Sequence, residues 1–494
     1  MRDYILLYIN GKRYEVRGKD AFLSCSEFLR QRRSLTGTKI VCAEGDCGAC
    51  TVLWGPPFQA INSCIQFVYS LDASHIITVE GIREEKELSP IQQAMIENFG
   101  AQCGYCTPGF ICAMAGLFEE KEKITEKKVR NALTGNLCRC TGYQPIIDAA
   151  LLVNIESYRT LEARYHHLEI SAELERHKKT AVLIEWEDKK IYIPNSLPKL
   201  IDFKTRWKEA RLVSGATDLG VQINKRKVDP KIHLSLNHIS ELDSIASVKN
   251  RIRVGAKVSL TRLLQFAEDK IPEFYRLLNI FASPQIKNVG TLVGNVANAS
   301  PIGDTLPFLF VIDAEVELTG SKGTRLVNIN AFYKGYRTMD IRLGEIITAI
   351  LIPLPKKNWS LKLYKVSKRK DLDISAFTAA FYGKIVGGKT KPQSGVEGEA
   401  PMALPLEGAT RAPIIETMKV AYGGVGPTVL RMPELEQNLV GQIFSLAAFQ
   451  QAKRVIRKII KPLSDVRGSQ EYRYQLAENI LEKLYYDLAE ELHA

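Results

Sequence analysis

The pattern of apolar and polar positions divides the chain into stretches of different period. Residues 4–9 form an apolar run and 13–16 alternate, and the Asn10-Gly11 pair between them predicts a β-hairpin. Residues 24–33 follow as a short helix with Phe28 and Leu29 as its apolar contacts. A loop rich in cysteine and glycine comes next, then strand-like 51–54 and 76–79, which predicts a compact sheet with one helix. From Ser89 to Tyr158 the signal turns helical. Ser89-Pro90 and Thr107-Pro108 each supply an N-cap followed by proline at the first helical position, and Gly100 and Gly135 sit where helices should stop. Helices near 90–99, 108–120, 125–134 and 144–158 give a small four-helix bundle. Residues 159–190 read as a linker, with His166 and His167 as surface residues.

Beyond residue 191 strands and helices alternate between glycine-rich turns, ending in a strand at 379–385. The stretch 387–413 is rich in proline and glycine without a period, which predicts an exposed loop or disorder. Order returns at 418–422, with helices near 445–460 and 469–491. The expected fold class is α+β and multidomain, divided at 1–84, 85–160, 161–190 (linker), 191–355 and 356–494.

Composition adds little to this picture until the cysteines are placed. The 494 residues suit three or four domains, and 45% hydrophobic with 25% charged residues is ordinary for a globular protein. No apolar run approaches the ~20 residues of a membrane span, and the apolar start is too short for a signal peptide, so the expected location is cytoplasmic. The formal charge of +12 raises the question of nucleic acid. Residues 1–150 carry equal numbers of basic and acidic side chains, and the excess elsewhere is scattered through mixed-sign stretches such as 365–373. With no arginine-rich arm and no nucleic-acid motif, the charge predicts a solvated surface or an acidic protein partner.

All ten cysteines lie between Cys25 and Cys140. A disulfide framework would spread them, so clustering favours metal ligation. Cys42, Cys47 and Cys50 are spaced C-x4-C-x2-C, with Cys64 as a fourth. This is the plant-type [2Fe–2S] spacing: two irons need four thiolates, three of them from one tight loop. Gly45 and Gly48 let that loop wrap inorganic sulfide and point N–H groups at it. Cys103-x2-Cys106 and Cys138-x-Cys140 fall at helix ends, Cys106 just before a helix start that favours a thiolate. Spacing alone leaves this second set open between an iron–sulfur cluster and a four-cysteine zinc site. Cys25 and Cys112 have no such partners.

Two glycine-containing runs suggest a nucleotide. Residues 212–219, LVSGATDL, read as strand, tight turn and new element, whose small residues let backbone N–H groups approach a pyrophosphate. The run GTLVGN at 290–295, followed by Asp304, has the same character. Neither matches a dinucleotide or P-loop fingerprint, and alone each is a weak signal.

The runs CAEGDCGAC at 42–50, QCGYCTPG at 102–109 and GNLCRCTGY at 135–143 closely resemble the xanthine dehydrogenase family of molybdenum hydroxylases. The resemblance implies that Cys103, Cys106, Cys138 and Cys140 also hold a [2Fe–2S] cluster. It implies that Gln102 contacts the pterin of a molybdenum cofactor held elsewhere; the residue alone suggests only a buried amide satisfying backbone. Carried over by position, Leu212, Val213, Ser214, Gly215, Ala216, Thr217, Asp218 and Leu219 would line the FAD pyrophosphate, with Phe281 near the flavin. Thr291, Leu292, Val293, Gly294, Asn295 and Asp304 would hold the rest of the dinucleotide, and Ile347 and Lys365 would complete the pocket. The runs KVSKRKDLDIS at 365–375 and SDVRGSQEY at 464–472 resemble the family's C-terminal flavoprotein subdomain.

The implied fold is a β-grasp ferredoxin-like domain, a helical [2Fe–2S] bundle, a two-part α+β FAD-binding domain (PCMH-like) and an α+β C-terminal subdomain, with 387–413 as an insertion. The layout resembles the small subunit of a bacterial heteromeric enzyme. Its implied function is electron transfer from the molybdenum centre of a large partner subunit, through two [2Fe–2S] clusters to FAD and then to NAD, without a substrate-oxidising residue of its own. Rival expectations are the same role for another N-heterocycle or aldehyde, a zinc-stabilised assembly module without redox activity, and, weakest, DNA binding.

Overall fold

The computed structural model describes every residue except 86, 157, 166, 388–389, 392–403, 406–411 and 494. Strands β1 (Ile5–Ile9) and β2 (Lys12–Val16) form the expected hairpin, and Asn10 and Gly11 both take the positive φ that such a two-residue turn requires. Strands β3 (Thr51–Gly55), β4 (Gln59–Asn62) and β5 (Ser74–Ile77) complete a mixed sheet of order β2-β1-β5-β3-β4, with β5 parallel to β1. Helix α1 (Cys25–Arg33) is fixed by a capping box between Ser24 and Glu27 and buries Phe28 and Leu29. This is the β-grasp arrangement, with the residues between α1 and β3 left as a loop.

Four helices follow: α2 (Pro90–Glu97), α3 (Thr107–Phe118), α4 (Glu126–Leu133) and α5 (Gln144–Leu152). Helix α3 is buried along nearly its whole length, between the other helices and β3, so the bundle and the first sheet share one core. Cys112 lies in that core and Cys25 in the neighbouring one.

The stretch expected to be a linker is folded. Helices α6 (Leu161–Tyr165) and α7 (Leu168–Lys178) strap the first domain, because Leu174 packs on Leu6 and Tyr8 while Glu173 accepts hydrogen bonds from Tyr8 (2.5 Å) and Arg13 (2.9 Å). Its polar composition conceals one apolar edge. His167 is exposed; His166 lies outside the described residues.

Strands β6 (Val182–Trp186), β7 (Lys189–Ile193), β8 (Arg211–Val213) and β9 (Ile232–Ser235) form a sheet of order β6-β7-β9-β8, with helices α8 (Leu197–Arg206) and α9 (Leu219–Asn224) between strands. A second, antiparallel sheet of the strands Ile245–Val248, Arg251–Gly255, Glu315–Gly320, Gly323–Asn328 and Ile346–Pro353 completes this part of the chain. Between its second and third strands run the helices Leu260–Ala267, Pro272–Ile280 and Leu292–Asn298. The C-terminal part is a four-stranded antiparallel sheet (Ser360–Val366, Phe377–Val386, Ile414–Gly423, Leu430–Arg431), backed by helices that include Gln470–His493. The stretch 387–413 falls largely outside the described residues; within it Thr390–Lys391 pairs with Leu404–Pro405. Among the described residues no helix is long and apolar enough to cross a membrane.

A buried charge cluster pins the N-terminus to the later sheets. Arg2 donates to Asp72 at 3.2 and 2.7 Å, His238 Nε2 lies 3.1 Å from the same carboxylate, and Leu6 N–H donates to it at 2.7 Å. Burial alone would raise the Asp72 pKa, but His238 and Arg2 outweigh it and hold the carboxyl below its usual value. Replacing Asp72 with alanine strands Arg2 without a counter-charge and should cost about 3–5 kcal/mol in thermal unfolding. The pH sign follows from the depressed pKa: the contribution is complete above the unfolded value of ~3.9 and disappears as pH falls through the lower folded value. The melting temperatures of parent and variant should therefore converge only in acid.

Candidate functional site: two cysteine loops and a cleft

The loop between α1 and β3 carries Cys42, Cys47 and Cys50, and Cys64 follows β4. The Cys42 sulfur lies within hydrogen-bonding reach of Cys47 and Cys64, and Cys64 within reach of Cys50. Hydrogen bonds from the Cys47 and Cys64 thiols, with the Glu44 and Cys47 N–H groups at 3.5 Å, hold Cys42 far below the usual thiol range. The same contacts lower Cys50 and raise Cys47 and Cys64, so the four thiols share protons among themselves. Gly45 and Gly48 take positive φ, and a Cβ on Gly48 would lie 2.2 Å from Gly135 O, so the loop closes against its neighbour only with glycine there.

The second set gathers where α3 begins and α5 approaches. Cys103 and Cys140 sulfurs are 3.7 Å apart, and Cys106 is hydrogen-bonded to Cys138. Burial pushes Cys106 up to about 12. Burial would also raise Cys138, but the Thr141 hydroxyl at 3.1 Å and nearby backbone N–H groups bring it below the usual value.

These thiols fit a two-iron cluster. Two thiolates on one tetrahedral metal, with bonds of ~2.3 Å, lie about 3.8 Å apart, close to the Cys103–Cys140 spacing of 3.7 Å. Four thiols at each site supply the ligands that two irons need.

A cleft of about 480 Å³ opens between β8, the start of α9 and the helix Leu292–Asn298. That volume is typical of a cofactor site. Leu212–Leu219, Phe281, Thr291, Val293, Gly294, Asn295 and Ile347 all line it. Ala216 takes a left-handed φ of 55°, and the N–H groups of Gly215, Ala216 and Thr217 make no protein hydrogen bond among the described residues, leaving donors for anionic oxygens. A Cβ on Gly215 would sit 1.9 Å from Val289 O, so the two glycine runs meet only because residue 215 has no side chain. Thr291 caps its helix by accepting from Gly294 N–H at 2.9 Å. Lys287 is buried, its pKa lowered by burial to about 8, and it donates to Leu278 O and Asn279 O, closing the helix that presents Phe281.

Three expected residues lie off the lining. Leu292 has no exposed surface and packs in the core. Asp304 and Lys365 form a buried ion pair at 2.5 Å, with Ser375 hydrogen-bonded to both. Through Thr305, which donates to Asn295 at 2.6 Å, that pair braces the cleft wall. Gln102 is exposed beside exposed Cys103. Sequence reasoning missed Lys204, Met339, Ile341 and Ile346, which reach the cleft from distant segments that carry no local signal.

The cleft and the loops are contiguous. Asn224, at the end of α9, donates to Ala43 O and Cys64 O, both at 2.8 Å, and Lys225 pairs with Glu44. Ile286 lines the cleft and packs with Cys50, Cys64 and Ile65. On the other side Leu137 N–H donates to Cys47 O at 3.0 Å, joining the two cysteine loops. The order in space is cleft, first loop, second loop, solvent.

Comparison with known proteins agrees with this layout. Residues 78–151 match a [2Fe-2S] binding domain, 186–355 the FAD binding domain in molybdopterin dehydrogenase, and 400–488 the CO dehydrogenase flavoprotein C-terminal domain. Xanthine dehydrogenase 1 of Arabidopsis thaliana is 29% identical over 97% of this chain and 39% of its own length; aldehyde oxidase 3 of Rattus norvegicus is 26% identical over 99% and 39%. The chain thus spans about two fifths of the curated relatives it matches. A solved CO dehydrogenase chain from Oligotropha carboxidovorans is similar at 26% identity and TM-score 0.51, over 59% of this chain and 94% of that one. With iron–sulfur, FAD-binding and flavoprotein C-terminal domains in this order, the chain belongs to the molybdenum hydroxylase family, that of xanthine dehydrogenase.

Proposed function

We propose that the chain is the electron-transfer subunit of a xanthine dehydrogenase-like molybdenum hydroxylase, acting in the cytoplasm in a hetero-oligomer with a large subunit that holds the molybdenum cofactor. The observation that carries this reading is contiguity: two four-thiol sites and a nucleotide-sized cleft form one series, each in hydrogen-bonded contact with the next. Bound there, two [2Fe–2S] clusters and FAD would supply one-electron carriers ending in a group that also exchanges electron pairs.

The residues divide the work. Cys42, Cys47, Cys50 and Cys64 would hold the inner cluster, and Cys103, Cys106, Cys138 and Cys140 the outer one. The 212–219 turn would seat the pyrophosphate and Phe281 would flank the flavin. The outer site is open to solvent at Cys103 and Cys140, beside Gln102 and the exposed Phe99, Tyr105, Leu137 and Tyr143. Such an apolar surround suits a partner subunit that delivers electrons there. All ten cysteines are free, as a reducing compartment requires. NAD is the proposed acceptor at the cleft.

The purified chain should oxidise NADH with an artificial acceptor and turn over no xanthine. Xanthine turnover by the chain alone would contradict the reading, and so would inability to oxidise NADH while carrying a full complement of FAD. A second reading keeps the electron path but assigns the partner another N-heterocycle or an aldehyde, because the aldehyde oxidase relative matches over the same span as the xanthine dehydrogenases.

A further inference from the structure

The contact between the two cysteine loops includes side chains as well as backbone. Beside the Leu137–Cys47 hydrogen bond, Asn136 Nδ2 donates to Gly48 O at 3.1 Å. Asn136 is buried, and Gln285, which has no exposed surface, donates from Nε2 to Asn136 Oδ1 at 2.7 Å. Gln285 stands four residues after Phe281, and its neighbour Ile286 lines the cleft. One pair of amides therefore joins both cysteine loops to the flavin-side wall.

The orientation of both amides follows from the first link. The Gly48 carbonyl can only accept, so Asn136 turns its NH2 to it and its oxygen to Gln285, which must answer with its own NH2. Among the described residues Gln285 Oε1 is then left without a protein donor, at 2.0 Å from where a Cβ on Gly135 would be. A buried acceptor with no donor is destabilising, and an apolar pair at 136 and 285 would avoid it. Local rules broken in this way cluster at functional sites.

We propose that Gln285 and Asn136 are positioning residues for electron exchange: they hold the Leu137–Cys47 hydrogen bond, and with it the spacing of the two cysteine sites, in register with the cleft. The proposal rests on the reading of the eight cysteines as ligands of two [2Fe–2S] clusters. The step it serves is a single-electron exchange in which one site is oxidised as the other is reduced, with no bond or proton transferred.

The test compares the whole chain, purified with its own cofactors, with Gln285→Met and Gln285→Leu. Asn288→Leu is the control: Asn288 Nδ2 donates to Ala60 O at 2.8 Å across the same interface and, among the described residues, makes no hydrogen bond to either cysteine loop. Iron and flavin content, the electron paramagnetic resonance (EPR) splitting between the two reduced clusters, and their reduction midpoints are measured on each. At least one position-285 variant should keep the parent's iron and flavin yet show an altered splitting and a shifted midpoint, while Asn288→Leu keeps the parent's values even if it melts earlier. Parent values in both position-285 variants would overturn the proposal, as would an equal shift in Asn288→Leu or loss of iron from both position-285 variants. A parent chain without iron would overturn the ligand reading, and the proposal with it; metal content reveals that before any variant is compared.

Discussion

Replacing Cys64 with alanine should remove about half of the iron bound per chain and one of two EPR signals, while FAD stays bound. Cys64 comes from outside the Cys42–Cys50 loop, and its sulfur reaches both Cys42 and Cys50. Without it three thiols face a cluster that needs four. The Cys64 position is buried among Cys50, Ile65, Val221 and Ile286, so water reaches it as a fourth ligand only by opening that contact. The control is Cys112→Ala: this thiol is buried in the helical core with no thiol partner, so its loss should leave all iron in place and cost on the order of 1 kcal/mol. Iron per chain and the EPR spectrum of the dithionite-reduced variants distinguish the two. Equal iron in both would remove Cys64 from the ligand set.

Gly215→Ala should have the complementary effect, releasing flavin while sparing iron. The added methyl would meet Val289 O at 1.9 Å and Gly290 Cα at 3.0 Å, backbone atoms at the start of the second glycine run and just before it. The two runs must separate, and overpacking of this kind costs about 1–3 kcal/mol. Borne by the bound state, that is roughly a ten- to hundredfold loss of affinity. Flavin released by heat from equal amounts of parent and variant, with iron measured alongside, checks it. Full flavin in the variant would show that the 212–219 turn does not seat the dinucleotide.

The sequence revealed this site unevenly, for physical reasons. The cysteine loops were readable because their residue type and spacing form a signal confined to a few positions. The hairpin at Asn10-Gly11 and the proline-started helices were readable because their signals are confined to a few neighbours. Residues 161–178 read as linker because one apolar edge, carried by Leu174, holds an otherwise charged strap. The Asp304–Lys365 pair illustrates a different limit. Position along the chain suggested two ligand contacts, whereas the structure joins them to each other behind the cleft wall. Gln285 left no trace: a buried amide gains meaning only when the fold brings it to Asn136, far away in the chain.

The central claim, that this chain holds two iron–sulfur clusters and a flavin in series, is tested most directly on one anaerobically purified sample. Its visible spectrum would be recorded with iron, zinc and flavin quantified together. About four irons and one FAD per chain are expected, with absorption bleached by dithionite. Zinc in place of iron, with no flavin, would contradict it and leave a structural module built on the same fold.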